Sequence, residues 1–281
     1  MEIIESPREG MQSLHYVIPL ENKVKYLDAL LKVGFDTVEL GSIVSARFIP
    51  QMADTLEVVQ KLDYTSTHSN RMILVVNKKG AEIIAERDEI THISYPFSIS
   101  PAFLKMNLNT TLDKTIETVG EIVEICERKK KHPVIYISMA FGNTFGDEWS
   151  MDILRKWINI LYRMGVRTIA LSNVSIEINN AQISEIFSDL VPRFPDIGFG
   201  LHLHTTNRNW YENVNAAYEK GCRRFDAVIH GWGGCPMSGK ELLGNLKTEN
   251  LIEYNYQNHL PLNLNPDALE QSYTLASLMF H

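Results

Sequence analysis

Apolar residues along the chain follow two alternating periods. Short apolar runs occur at Glu2–Glu5, Thr37–Leu40, Met72–Val76, Ile90–Tyr95, Val134–Met139, Thr168–Leu171, Gly198–His204 and Phe225–Ile229. Their length and their Val, Ile, Thr and aromatic content predict strands. Between them, apolar residues recur at three and four positions over Asn22–Val33, Leu112–Glu127, Asp152–Met164 and Trp210–Lys220, the spacing of amphipathic helices. Gly34, Gly165 and Gly221 each stand between such a helix and a new strand, where glycine supplies a left-handed cap. Regular alternation of strand and helix implies parallel strands joined by crossover helices. Eight strands, no Pro- or Ser-rich linker and no GxGxxG after the first strand favour a closed (β/α)8 TIM barrel over an open doubly wound sheet. The remaining stretch, about Thr248–Leu278, contains Pro261 and Pro266 and predicts two additional C-terminal helices. The expectation is a single barrel domain over residues 1–281.

Composition narrows the class. Hydrophobic residues are 44% and charged residues 22% of the chain, the balance of a globular protein with a large core. No apolar run reaches the roughly 18 residues of a spanning helix, and MEIIESPREG has neither the basic nor the apolar part of a secretory signal. A cytoplasmic protein without membrane attachment is expected. The formal charge of −7 argues against nucleic-acid binding, which draws on a basic surface. The dense cationic run Arg128–Lys131 ends a predicted helix, where positive charge complements the dipole. Cys126, Cys222 and Cys235 are too few and too scattered for a disulfide framework or a CxxC site. The first two are expected to be structural, whereas Cys235 lies in a glycine loop.

Barrel enzymes take their chemistry from the C-terminal ends of the strands. The predicted seventh strand, GFGLHLH, ends in His202 and His204, whose i, i+2 spacing on a strand lets both face one ion. The same spacing also arises on an ordinary polar strand face. Strand one runs into Ser6-Pro7-Arg8-Glu9-Gly10-Met11-Gln12, which would bring a cation and an acidic oxygen ligand to the barrel mouth, or form a surface ion pair. Glu39 places a carboxylate in an otherwise apolar strand end, and an unpaired buried acid is costly. After the last strand, Gly231-Trp232-Gly233-Gly234-Cys235-Pro236 could close over a substrate and present a thiol, or be a tight turn. Asn245, in Gly244-Asn245-Leu246, offers a neutral oxygen ligand.

In order along the chain, Arg8-Glu9-Gly10-Met11-Gln12, Val44–Asp54, Met106-Asn107-Leu108-Asn109, His202-Leu203-His204, Gly233–Pro236 and Gly244-Asn245-Leu246 resemble the metal-dependent lyases and Claisen-type synthases that share RDGxQ and HxH signatures. Within them the chain most resembles the 3-hydroxy-3-methylglutaryl-CoA lyase family. The resemblance implies a TIM barrel that cleaves an acyl-CoA to acetyl-CoA and a 3-oxo acid by a retro-Claisen step. It implies Mg2+ or Mn2+ held by Glu9, His202, His204 and Asn245. Arg8, Glu39, His202 and Cys235 are the implied catalytic groups. Arg8 would stabilise the departing enolate, Glu39 would support the metal-side network, and Cys235 would take part in proton transfer. A homodimer is implied by analogy.

Four positions depart from that pattern. Glu9 stands where the family has Asp, Ser172-Asn173-Val174 replaces a Gly-Asp-Thr type sequence, Thr205 replaces an Asp, and Phe141–Thr144 lacks a Cys-Pro. Two other readings follow: a condensing synthase or aldolase acting on a 2-oxo acid, and a catalytically inactive binding homologue.

Overall fold

In a computed structural model, which describes residues 1–174, 177–206, 208–234 and 243–280, the strands close into the expected barrel. Its staves are β1 (Glu2–Glu5), β2 (Thr37–Ile43), β3 (Asn70–Val75), β4 (His92–Ser98), β5 (His132–Ser138), β6 (Thr168–Ser172), β7 (Gly198–His202) and β8 (Arg224–Ala227). They pair in parallel in that order, and β8 returns to β1 through the register Glu2↔Arg224 to Glu5↔Ala227. Both faces of each strand are therefore covered, which explains the nearly unbroken apolar runs in the sequence. The larger part of the core lies between barrel and helices, whereas Ile4, Met72 and Val134 form a separate cluster with Tyr136 against it.

The four helices read from periodicity form at Leu20–Val33, Leu112–Lys129, Met151–Arg163 and Trp210–Glu219. Gly34, Gly165 and Gly221 take positive φ of 93°, 98° and 94°, as their cap positions require. Shorter helices at Pro7–Gln12, Thr55–Lys61, Lys78–Ala85 and Pro101–Leu108, with a longer one at Asn180–Arg193, complete the crossovers. The C-terminal stretch forms two helices, Thr248–Gln257 and Pro266–Met279; the second begins on Pro266 with Asn265 capping two amides. The basic run closes its helix as expected: Lys130 is a left-handed cap, and the Lys131 ammonium donates to the carbonyls of Arg87 and Ile90. Cys126 and Cys222 are fully buried. Among the described residues no helix is long and apolar enough to cross a membrane.

Strand boundaries shift in one place that matters for the site. The run Gly198–His204 is not one strand. β7 stops at His202, and His204-Thr205 turns away to pair antiparallel with Gly244-Asn245 in a short ribbon above the barrel. The final strand likewise begins one residue earlier than its apolar run and ends at Ala227, which brings Arg224 into the staves.

Candidate metal and active site

The mouth of the barrel gathers Arg8, Glu9, Glu39, His202, His204 and Asn245 from the residues singled out in the sequence. Pro7 begins a short six-residue helix one residue after β1, so Arg8 and Glu9 are carried over the barrel opening. Arg8 is 7% exposed, and its guanidinium bridges three partners: Nε donates to Glu39 Oε2 at 3.0 Å, Nη1 to Gln12 Oε1 at 2.9 Å and Nη2 to Glu9 Oε1 at 3.0 Å. The planar fork of arginine can serve all three at once; lysine could not. Burial opposes the charge on Arg8, but Glu39 and Glu9 outweigh it and raise the guanidinium above its usual range. Glu39 is pushed up to about 7 by burial, with Arg8 pulling the other way.

Glu9 turns its second oxygen to His202, with Oε2 at 3.3 Å from Nε2. The other ring nitrogen, Nδ1, meets Asp226 Oδ2 at 3.0 Å, which fixes the ring orientation and directs Nε2 toward Glu9. His204 stands edge-on to His202, ring centroids 5.0 Å apart. Its place is set through the backbone: Asn173 Oδ1 accepts from His204 N at 2.8 Å, and Asn173 Nδ2 donates to His204 O at 2.7 Å. The strand-periodicity argument thus places the pair correctly for an incomplete reason. His204 joins His202 because the ribbon and Asn173 hold it there.

One donor atom from each of Glu9, His202 and His204 lies within 4.8 Å of the other two. Two observations show that a cation fits. His204 Nδ1 is buried without a hydrogen-bond partner among the described residues, and burial, then the charge of His202, move its pKa down to about 4, so the ring is a neutral donor. Burial also opposes charge on His202, yet Glu9 and Asp226 outweigh it and push it up to about 10; an ion bound here would take the place of that proton, because a ligating imidazole is neutral. Burial disfavours the ionised form of Glu9 too, but His202 and then Arg8 hold it well below the usual carboxylate range, as an anionic ligand requires. One carboxylate and two imidazoles are an appropriate donor set for a divalent ion with open positions.

Asn245 sits beside His204 in the ribbon and is 5% exposed. Its Nδ2 donates to the carbonyl of Trp232 at 2.8 Å, which commits the amide nitrogen and leaves the oxygen as the atom that could serve as a ligand. The glycine loop passes close to this group: a Cβ on Gly233, whose φ is +84°, would lie 2.6 Å from the carbonyl of Glu9. Cys235 lies outside the described residues.

Sequence reasoning passed over Asp226, Arg224 and Tyr136, which support the site from within the barrel. The edge of the Tyr136 ring meets His202, with centroids 5.6 Å apart. Arg224 is 6% exposed, its Nε 3.9 Å from Asp226 Oδ1 and its Nη2 3.9 Å from Met72 Sδ. Gly200 makes room for it, since a Cβ there would lie 3.1 Å from the Arg224 stem. Arg-Phe-Asp puts both charged side chains on one face of β8. The argument that singled out Glu39, an acid inside an apolar strand, finds Asp226 as well.

A parallel barrel with a carboxylate–imidazole cluster and an ion-paired arginine at its C-terminal mouth defines the class: a metal-dependent (β/α)8 enzyme. The HMGL-like family model matches residues 2–274, and the chain belongs to that family, as a carbon–carbon lyase. Curated relatives include an (R)-citramalyl-CoA lyase from Chloroflexus aurantiacus, 27% identical over 88% of this chain and 80% of that protein. A hydroxymethylglutaryl-CoA lyase from Pseudomonas mevalonii is 27% identical over 88% of this chain and 81% of its own length. Among solved structures, an HMG-CoA lyase from Acinetobacter baumannii in complex with coenzyme A and 3-methylmalate superposes with a TM-score of 0.89 at 29% identity, covering 100% of this chain and 91% of that one.

Proposed function

We propose that the protein cleaves 3-hydroxy-3-methylglutaryl-CoA, or a closely related 3-hydroxyacyl thioester, to acetyl-CoA and an oxo acid. The observation that carries this reading is the Glu9–His202–His204 cluster with Arg8 bound to Glu9 at its edge. Glu9, His202, His204 and Asn245 would hold Mg2+ or Mn2+. Such an ion supplies Lewis acidity, making a neighbouring alcohol far easier to ionise.

The chain's own groups divide the remaining work. The hydroxyl proton passes to solvent, the oxygen's electron pair forms the new carbonyl as the carbon–carbon bond breaks, and that bond's electron pair passes to the thioester, which becomes an enolate. Arg8 provides fixed positive charge for that oxygen, oriented in advance by Glu39 and Gln12 so that little reorganisation accompanies the step. Asp226 keeps the His202 ring directed at the cluster. Cys235, through its place in the sequence, is assigned the proton that converts the enolate to acetyl-CoA.

The relatives favour two acyl groups, since one is named for citramalyl-CoA and the other for hydroxymethylglutaryl-CoA. The test offers both thioesters to the purified protein with Mn2+ or Mg2+. Release of acetyl-CoA is expected, and the co-product, acetoacetate or pyruvate, identifies the acyl group. Absence of acetyl-CoA from either substrate across several divalent metals overturns the proposal.

A further inference from the structure

His230 has a backbone conformation that is uncommon for a residue other than glycine. Its φ is +62°, in the left-handed region, although it carries a Cβ. Such a backbone persists only where surrounding contacts enforce it, and here they come from both C-terminal helices. Both carboxylate oxygens of Glu249 accept from the His230 backbone N–H at 3.1 Å, and Glu249 Oε1 lies 2.6 Å from ring Nδ1. Ring Nε2 lies 3.1 Å from Ser277 Oγ and 3.3 Å from the Tyr273 carbonyl. Ser277, His230 and Glu249 have the outline of a nucleophile, a base and an acid. The Tyr273 carbonyl beside Nε2, however, calls for a donor there and not a free lone pair, so the three hold one another instead of reacting.

What they hold is the start of the glycine loop. Gly231, immediately after His230, packs so closely on the ribbon that a Cβ would lie 2.8 Å from the Asn245 carbonyl. Trp232, the next residue, receives the Asn245 side-chain amide through its carbonyl and stacks on Phe280 at 6.0 Å. Gly233 then lies against the carbonyl of Glu9. Three consecutive residues after His230 therefore touch Asn245 or Glu9.

We propose that His230 is a positioning residue: by clamping the base of the glycine loop between Glu249 and the Pro266–Met279 helix, it sets the orientation of Asn245 and so the strength of metal binding. The inference rests on the metal-site reading given above. Its test is calorimetric titration of Mn2+ into the full chain, wild type and His230→Asn. Asparagine tolerates the left-handed backbone but cannot span both helices. Binding should weaken roughly tenfold, the usual scale for a residue behind a metal ligand. In turnover assays the metal concentration for half-maximal rate should rise while the rate at saturating metal is kept. Glu249→Gln, which keeps an acceptor for the amide but removes the charge, should weaken binding in the same direction, and it carries the test alone if His230→Asn does not fold. Wild-type affinity in the folded variant overturns the clamp even if the melting temperature falls, because His230 is then only structural. No Mn2+ binding by the wild type overturns the metal-site reading itself, a distinct outcome.

Discussion

The position of His204 depends on Asn173, a residue outside the donor cluster. Its side-chain amide satisfies both the N–H and the C=O of His204 beyond the end of the barrel strand, in the short ribbon where His204 stands opposite Asn245. Asn173→Ala would strand two buried backbone groups, at a cost of about 1–3 kcal/mol each if they stay dry, and would free His204 to move. A lower midpoint in urea with unchanged slope should accompany weaker Mn2+ binding; an unaltered Mn2+ affinity would separate Asn173 from the site. Glu9, His202, His204, Arg8 and Glu39 were all legible in the sequence because strand ends in a barrel converge on one mouth. Asn173 entered only as part of a departing segment, because its effect passes through hydrogen bonds to the backbone of another residue, whereas Asp226 was passed over although it is an acid inside an apolar strand.

At the level of elements, β1 is tied to the C-terminal region through Glu5. This fully buried acid accepts from Ile229 N at 3.0 Å and from the Thr248 hydroxyl. Burial pushes it up to about 8 against 4.5 for the free side chain, although both hydrogen bonds pull the other way. Below the unfolded value both states hold the proton and the contribution is fully present. As pH rises toward the folded value, only the unfolded chain releases it, so stability is lost through that window and then levels off. Glu5→Gln keeps an acceptor for Ile229 and offers Thr248 a donor, without the titration. Relative to wild type the variant should gain stability as pH rises from about 5 to about 8, by up to about 1.4 kcal/mol per pH unit; parallel stability curves across that range would refute the assignment. The strands and four of the longer helices were visible in hydrophobic period, which is a local property. The ribbon His204-Thr205 with Gly244-Asn245 was not, since two residues have no period and their pairing crosses some forty positions of chain.

Across the whole molecule, the donor cluster joins parts of the chain that are distant in sequence. Glu9 follows the first strand, His202 ends the seventh, and His204 lies in the ribbon that pairs with Gly244-Asn245 past the eighth. Unfolding separates them, so an ion bound there acts only on the native state and stabilises it by RT ln(1 + [L]/Kd), about 2.7 kcal/mol at one hundred times Kd. For a chain of this size that corresponds to a rise in Tm of roughly 5 °C. The wild type should show this rise with excess Mn2+, and EDTA should reverse it. His204→Ala should lose the rise, since it removes one of the imidazole donors while Asn173 still holds the backbone. Thermal unfolding of both proteins with Mn2+ and with EDTA makes the comparison. A wild type that melts at the same temperature in both conditions would argue that the cluster does not bind the ion, and an equal rise in His204→Ala would place the ion elsewhere.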